Sequence, residues 1–258
     1  MKFFKLNIFR WSLVITSFAY SACTREIPQL TAKETDLNTA ATLQVFNATV
    51  KSLRNYVYVD GTPVSGAVFA SGGIFPNTAY GIKLASGMHS ILVKDTALVT
   101  TQIPLTFSQS FDAGKSYTTF TYDTITSIKQ VTLVNNIVIP TDTSSRLRLA
   151  NFIYNASAIP NVDVYSFRRI AGTPVFLNGS PVFAGNTPIF GNIATNTITD
   201  FMPYPSGLSD TLYVYATGTI TPLIVKGVIQ SLVPTRSYTT ALTGSFKAVK
   251  AIGTFANY

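Results

Sequence analysis

The sequence predicts an all-β protein, and three observations carry that expectation. Aromatic and β-branched residues dominate: thirteen Tyr and eighteen Phe stand among 258 residues, with sixteen Gly and thirteen Pro as turn formers between them. Apolar residues alternate with polar ones at a period of two, as where Val57 and Val59 alternate with Tyr56 and Tyr58 ahead of the turn signal Asp60-Gly61. Short motifs also recur in the same order, so that one strand-rich unit occurs twice. A composition 47% hydrophobic and only 12% charged excludes intrinsic disorder and allows one large or two ordinary domains to bury a core.

The first 22 residues have the order of a signal peptide. Lys2, Lys5 and Arg10 are a positive leader, Trp11 to Tyr20 is a short apolar run, and Ser21-Ala22 puts small residues before a cleavage point. The run falls short of the roughly 20 residues that span a bilayer. Cys23, the only cysteine, follows directly. This order resembles the lipobox of bacterial lipoproteins, with Tyr20 where Leu is usual, and the resemblance implies a membrane anchor through a diacylglyceryl-modified Cys23. A lone thiol elsewhere in an exported protein invites oxidation, which favours lipidation for one at the processing point. Thr24 rather than Asp after the Cys implies an outer-membrane lipoprotein, on its periplasmic or cell-surface face. Residues 23–41 are then the lipidated Cys and a flexible polar tether.

Cleavage before Cys23 leaves sixteen Lys and Arg against eleven acids, a net charge of +5 in place of +8. The remaining basic residues are scattered, apart from Arg146 and Arg148 on one strand face and Arg168-Arg169, placed in a loop. Nucleic-acid binding calls for a clustered basic face with aromatic platforms, so no nucleic-acid partner is expected. No apolar run after Cys23 is long enough for a membrane helix, which leaves attachment to the lipid.

Five motifs define the repeat. Leu43 to Asn47 matches Leu147 to Asn151, Val57-Tyr58 matches Val164-Tyr165, and Gly61-Thr62-Pro63-Val64 matches Gly172-Thr173-Pro174-Val175. Ser86-Gly87 matches Ser206-Gly207, and Lys115-Ser116-Tyr117-Thr118-Thr119 matches Arg236-Ser237-Tyr238-Thr239-Thr240. The offsets rise in order through 104, 107, 111, 120 and 121, as insertions in a second copy would produce. In the first unit, strands are predicted at 56–59, 82–84, 91–93, 118–122 and 128–134. In the second they are predicted at 147–153, 162–167, 198–202, 212–215, 223–229, 238–242 and 246–252. Six or seven short strands in about 100 residues suit an antiparallel β-sandwich. The expected organisation is therefore a first sandwich at 42–140, a polar junction at Pro140 to Ser145, and a second sandwich at 145–258. Both are expected to be Ig-like or transthyretin-like.

The segment Arg146 to Tyr165 (RLRLANFIYNASAIPNVDVY) resembles the opening signature of the domain of unknown function 4397 (DUF4397) family: an apolar strand ending in Asn, an Ala/Ser/Pro stretch, then Val-Asp-Val-Tyr. The first unit carries the family's later element as Ala113-Gly114-Lys115-Ser116-Tyr117-Thr118, whereas the second has Pro234-Thr235-Arg236 there. The opening is weaker in the first unit, with Tyr56 where Asp163 stands in the second. The resemblance covers most of residues 42–246. It implies an exported, commonly lipid-anchored β-sandwich protein of the bacterial envelope, and it brings no known reaction or binding residues.

Catalytic chemistry is thinly supplied. His89 is the only histidine and has no Cys or acidic cluster beside it in sequence, so neither a zinc site nor a Ser-His-Asp triad is expected. Gly114-Lys115-Ser116 lacks the first glycine of a P-loop, where Gln109 stands, and precedes a strand rather than a helix. Asp60, Asp95, Asp112, Asp123, Asp163, Asp200 and Asp210 sit mostly beside turn residues, whose chemistry explains them. The triplets starting at Asp95, Asp123 and Asp210 resemble an Asp-Thr-apolar O-glycosylation pattern that arises easily in a Thr-rich chain. Tyr56, Tyr58 and Tyr165 are the candidate binding surface, because a tyrosine offers a flat apolar ring with a polar tip; ordinary cross-strand pairing explains them equally.

No catalytic residue, metal or cofactor is thus expected. The expected function is a non-catalytic exported lipoprotein, a binding or adhesion module for an envelope glycan or protein. The alternative is a structural or assembly subunit without a small ligand, and a hydrolase ranks last for want of a general base.

Overall fold

The computed structural model describes residues 39–77, 80–170, 173–176, 187–220, 223–229, 232–248 and 250–257, all of them within one compact unit. The signal segment, Cys23 and the tether up to residue 38 lie outside the described residues. The first repeat supplies β1 (Ala40–Asn47), β2 (Asn55–Val59), β3 (Thr62–Pro63), β4 (Ile74–Phe75), β5 (Ile82–Ala85), β6 (Gly87–Asp95), β7 (Leu105–Phe111), β8 (Ser116–Tyr122) and β9 (Lys129–Val134). The second supplies β10 (Ser145–Asn151), β11 (Val162–Ile170), β12 (Thr173–Phe176), β13 (Phe190–Ile193), β14 (Thr197–Ile198), β15 (Met202–Tyr204), β16 (Asp210–Ala216), β17 (Leu223–Ile229), β18 (Ser237–Gly244) and β19 (Lys250–Ala256). No helix occurs among the described residues.

Each repeat is a pair of sheets. One sheet has the order β4-β1-β8-β9 with β5 also on β1, and its counterpart has the order β14-β10-β18-β19 with β15 also on β10. The companion sheets are β3-β2-β6-β7 and β12-β11-β16-β17, the latter with β13 on β11. The alternation read from the sequence fixes the inward faces. Val57, Val59, Ile91 and Val93 meet Leu43, Val45 and Leu84 in the first core, while Val162, Val164, Leu212 and Val214 meet Leu147, Leu149 and Leu242 in the second. Asp60 and Gly61 both take positive φ, 50° and 80°, which closes the β2–β3 hairpin with a twist that suits its strands.

Three of the repeated motifs, those at 43–47, 57–58 and 115–119, occupy matching register positions in the two copies, whereas Pro63 pairs with Tyr58 but Pro174 with Arg169, and Gly87 lies in β6 but Gly207 before β16. Leu43 pairs with Tyr117 and Leu147 with Tyr238; Val57 pairs with Val93 and Val164 with Val214. The Tyr117 hydroxyl accepts the Asp112 N–H at 2.9 Å, and the Tyr238 hydroxyl accepts the Val233 N–H at 3.0 Å, in each case five residues upstream.

A third core joins the repeats. Because β1 and β8 alternate, residues 46 and 120 point away from the first core, and with Ala48 they pack against Ala150, Phe152 and Ala241 of the second repeat. The cross-strand row Phe46–Phe120–Val131 corresponds to the row Ala150–Ala241–Gly253, large side chains against small. Phe255 stacks on Phe46 at 5.1 Å between ring centroids, and Phe152 lies 5.1 Å from Phe120 and 5.2 Å from Tyr122. The β1 and β8 sheet and the β10 and β18 sheet are thus inner layers covered on both faces, and the β2 and β6 sheet and the β11 and β16 sheet are outer layers.

Several expectations need correction. Strand β1 begins at Ala40, inside the segment assigned to the tether, because Ala40 and Ala41 pair with Ala85 and Leu84 and are buried. Each inner sheet has one parallel ladder, β1 with β8 and β10 with β18, because the chain crosses over from the outer sheet before laying down β8 or β18. The strand expected at 198–202 is two short ones, β14 and β15, broken where the Thr199 hydroxyl takes the Leu149 N–H at 2.9 Å. Phe246 lies in a turn rather than opening the last strand. Arg168-Arg169 is not a loop but part of β11, where Arg168 makes a buried ion pair with Asp210.

Phe120 is fully buried and touches the Phe46 ring of its own sheet and the Phe152 and Phe255 rings across the joint. Phe120→Ala is expected to cost about 3–5 kcal/mol. The exposed Thr106→Ala should stay within about 0.5 kcal/mol of wild type. Urea denaturation of both variants checks this; similar midpoints for the two would show that the joint carries no stability.

Candidate functional site

Beside the aromatic joint runs a buried polar layer. Thr118 and Thr239 pair in register with Gln44 and Arg148. The Gln44 amide donates to the Ala256 carbonyl at 2.9 Å and accepts from the Asn257 amide at 3.0 Å, so an amide of the first repeat grips the second. At the equivalent place Arg148 grips the first, with Nη2 donating to Asn135 Oδ1 at 2.7 Å, while Nε donates to Thr239 Oγ1 of its own repeat at 2.7 Å. Arg148 is 2% exposed, and no carboxylate among the described residues pairs with it. Burial pushes its guanidinium down to about 9, partly offset by the more distant charge of Asp200. It remains a cation at neutral pH.

Arg148 forms part of a crevice of about 670 Å³ between the repeats. Leu133, Val134, Asn136 and Val138 make the wall on the first repeat, and Arg146, Ile198, Thr199, Asp200, Phe201 and Pro203 the wall on the second. The break between β14 and β15 turns Phe201 inward, where its ring centroid lies 4.5 Å from the Arg148 Cζ. Arg146 and Arg148, two apart on β10, share this face, as their spacing predicts.

A second groove, about 830 Å³, also lies between the repeats. It is lined by Ser71, Thr124 and Thr126 from the first repeat and by Tyr154, Thr243 and Ser245 from the second, with Lys51 supplying a cation. None of its lining residues is a carboxylate. Equivalent turns build its two sides: the β8–β9 turn holds the threonines, and the end of β18 with its following turn holds Thr243 and Ser245.

The tyrosines expected to form a surface are not one site. Tyr56 and Tyr58 share the outward face of β2, half-buried with ring centroids 6.5 Å apart, and the Lys94 ammonium lies 4.8 Å from the centre of the Tyr58 ring. Tyr165 is not on the surface. It is 6% exposed on β11, the outer sheet of the other repeat, packed edge-on against the buried Tyr215 at 5.8 Å. Cys23 lies outside the described residues. The two grooves were missed from sequence because both form between repeats; the one signal available was the substitution of Arg148 for Gln44 in otherwise matching motifs.

The titratable groups are mostly occupied by structure. His89 lies between the Asp60 carboxylate at 2.6 Å and the Ala85 carbonyl at 2.9 Å. Asp163 accepts the Asn192 and Gly218 N–H groups and the Thr217 hydroxyl, tying two loops together. Asp210 takes a bidentate pair of bonds from Arg168, both at 2.6 Å, and one from Tyr204 at 2.7 Å; burial and then that carboxylate hold the phenol well above its ordinary pKa. Gly114-Lys115 is a turn before β8, with φ of 72° at Gly114 and Lys115 paired to Asp112. No group of three His, Cys, Asp or Glu side chains capable of holding a metal occurs among the described residues.

No protein-family model matches the chain, and no curated protein matches it. Among solved structures the chain is similar to a carbohydrate-binding module of family CBM26 from Eubacterium rectale Amy13K, in complex with maltoheptaose. That match has 11% identity and a TM-score of 0.28 over 83% of this chain and 95% of the other. It is also similar to an α-glucan-binding streptococcal virulence factor, at 9% identity and a TM-score of 0.26 over 83% of this chain and 96% of the other.

The Asp60 carboxyl is held below its usual 3.8, first by the Ser90 N–H and then by His89. A lowered folded pKa gives stability that is present above the unfolded value and lost as pH falls through the folded one. Asp60→Asn should therefore be less stable than wild type at neutral pH, with the gap closing toward about pH 2. Urea midpoints at both pH values check this; a gap that persists in acid would assign the effect to something other than the charge.

Proposed function

We propose that this chain is a non-catalytic lipoprotein of the bacterial envelope, related to the DUF4397 family, that binds a glycan between its two repeats. The observation that carries the reading is the composition of the larger groove. Side-chain hydroxyls both donate and accept, so they can replace the water around a sugar's own hydroxyls. A tyrosine ring offers the flat apolar surface on which the C–H face of a pyranose stacks. The lining of the groove supplies both, and its volume falls in the range of small-ligand sites. It holds no carboxylate, whereas glycoside hydrolysis needs a pair about 5 to 9 Å apart. The groove is thus equipped to hold a saccharide without cleaving it.

A partner protein is the second reading, favoured by Leu98 and Val99, which stand fully exposed between β6 and β7. Export and anchoring follow from the order of basic, apolar and small residues before Cys23.

Screening the full chain against an array of envelope oligosaccharides should give retained ligands, and Tyr154→Ala should weaken them at least tenfold, about 1.4 kcal/mol, with unchanged thermal unfolding. Retention of none by wild type would sink the glycan reading. Capture of an envelope protein that is lost in Leu98→Asp would favour the second. Mass spectrometry of protein from native membranes should find an acylated N-terminal Cys23, and Cys23→Ala should leave the membrane fraction; a variant still firmly membrane-bound would overturn the anchor.

A further inference from the structure

The two repeats solve one structural problem in two ways, and the difference points to a ligand. Gln44 bridges to the second repeat as a neutral amide, with both ends of its amide satisfied. Arg148 bridges back from the equivalent register position as a cation. The bridging itself does not require charge, and burying a charge without a counter-ion is costly. Nε and Nη2 of Arg148 are engaged by Thr239, Asn135 and, at 3.4 Å, Thr118. Nη1 has no hydrogen-bond partner among the described residues, and the side chain borders the 670 Å³ crevice. Arg146 stands two residues away on the same face, about 7 Å along the strand, with one 3.3 Å hydrogen bond to Ser144 and the charge of Asp142 behind it. The walls around this pair are apolar and aromatic: Leu133, Val134, Ile198, Phe201 and Pro203.

We propose that this crevice is a second binding site, distinct from the hydroxyl-lined groove, that takes the carboxylate of an acidic sugar on Arg146 and Arg148. A guanidinium matches a planar carboxylate with parallel N–H donors, and a desolvated one binds it more strongly than a surface lysine does. The apolar walls and the Phe201 ring receive the body of the sugar. The choice of a sugar as that body rests on the glycan reading above, whereas the demand for a carboxylate rests on Arg146 and Arg148 alone. Asp200, exposed, is the one carboxylate among the residues that line the crevice, and it opposes an anionic ligand, as does the charge of Asp142 that reaches Arg146.

Calorimetric titration of the full chain with an oligogalacturonate and with the uncharged galactose oligomer of equal length tests the proposal. The acidic oligomer should bind at least tenfold more tightly than the neutral one. Arg148→Gln, which installs the side chain already used at position 44, should lose at least tenfold of that affinity with an unfolding midpoint equal to or above wild type. Arg146→Gln should weaken binding several-fold and serves as the deciding variant if Arg148→Gln fails to fold. Asp200→Asn should tighten it, and Tyr154→Ala should leave it unchanged. Equal affinity for the two oligomers, or wild-type affinity in both arginine variants, would overturn the proposal. So would inorganic sulfate binding as tightly as the acidic oligomer. Loss of neutral-glycan binding in Tyr154→Ala with acidic binding intact, or the reverse, separates failure of the larger groove from failure of this one.

Discussion

The packing of the two inner sheets against each other is the interaction on which the remainder of this molecule depends. It converts strands that would each have one wet face into strands covered on both, and it does so with a mismatch in size between related residues. Phe46 and Phe120 are cross-strand neighbours in the first repeat; Ala150 and Ala241 are their counterparts in the second. Protein interiors are filled to crystal density, so a row of phenylalanines needs a row of small residues opposite it. Two first repeats placed face to face would be overpacked, and two second repeats would leave a void. The repeats are therefore complementary and not interchangeable. Both grooves are open edges of this joint, which is why each is lined from both repeats.

Polar residues in the same layer make the joint directional. Threonines fit the pleat of a strand and carry a hydroxyl that must be satisfied when buried. Across the joint Arg148 donates to Asn135 at 2.7 Å and Asn257 to Gln44 at 3.0 Å, and the Thr118 hydroxyl accepts from both Arg148 and Asn257. A slide of one inner sheet over the other by one residue would break these bonds together and leave several buried polar atoms unpaired, each at a cost of about 1–3 kcal/mol. The aromatic row favours contact, and the polar row fixes register.

The fold class, most strands and the repeat were legible because period-two alternation and turn residues are local signals. Val57, Val59, Val162 and Val164 declare their inward faces without reference to anything distant in sequence. The Thr-Thr-Phe-Thr run at 118–121 gives no such declaration, since a strand buried on one side by apolar residues and on the other by a mixed interface shows no clean alternation. Strand β7 (LTFSQSF) is not predicted because Ser108 and Ser110 at outward positions and Gln109 at an inward one weaken the strand signal, although its burial alternates regularly. Tyr165 looked like a surface residue by analogy with Tyr58, yet Tyr215 covers it, and that neighbour is fifty residues away. Arg148 and Arg168 were legible as cations but not as buried ones, because their partners, Asn135 and Asp210, come from other parts of the chain.

The position of β1 has a mechanical consequence. It is the first described strand, and it lies between β8 on one side and β4 and β5 on the other, with its two faces in two different cores. A pull transmitted through the residues before Thr39 would run along the axis of this strand. Its ladders would then be loaded in shear, all their hydrogen bonds at once, instead of being peeled from an edge one bond at a time. Tension entering at this end meets the most interlocked part of the molecule, so the outer sheets and both grooves can keep their shape while the chain is under load.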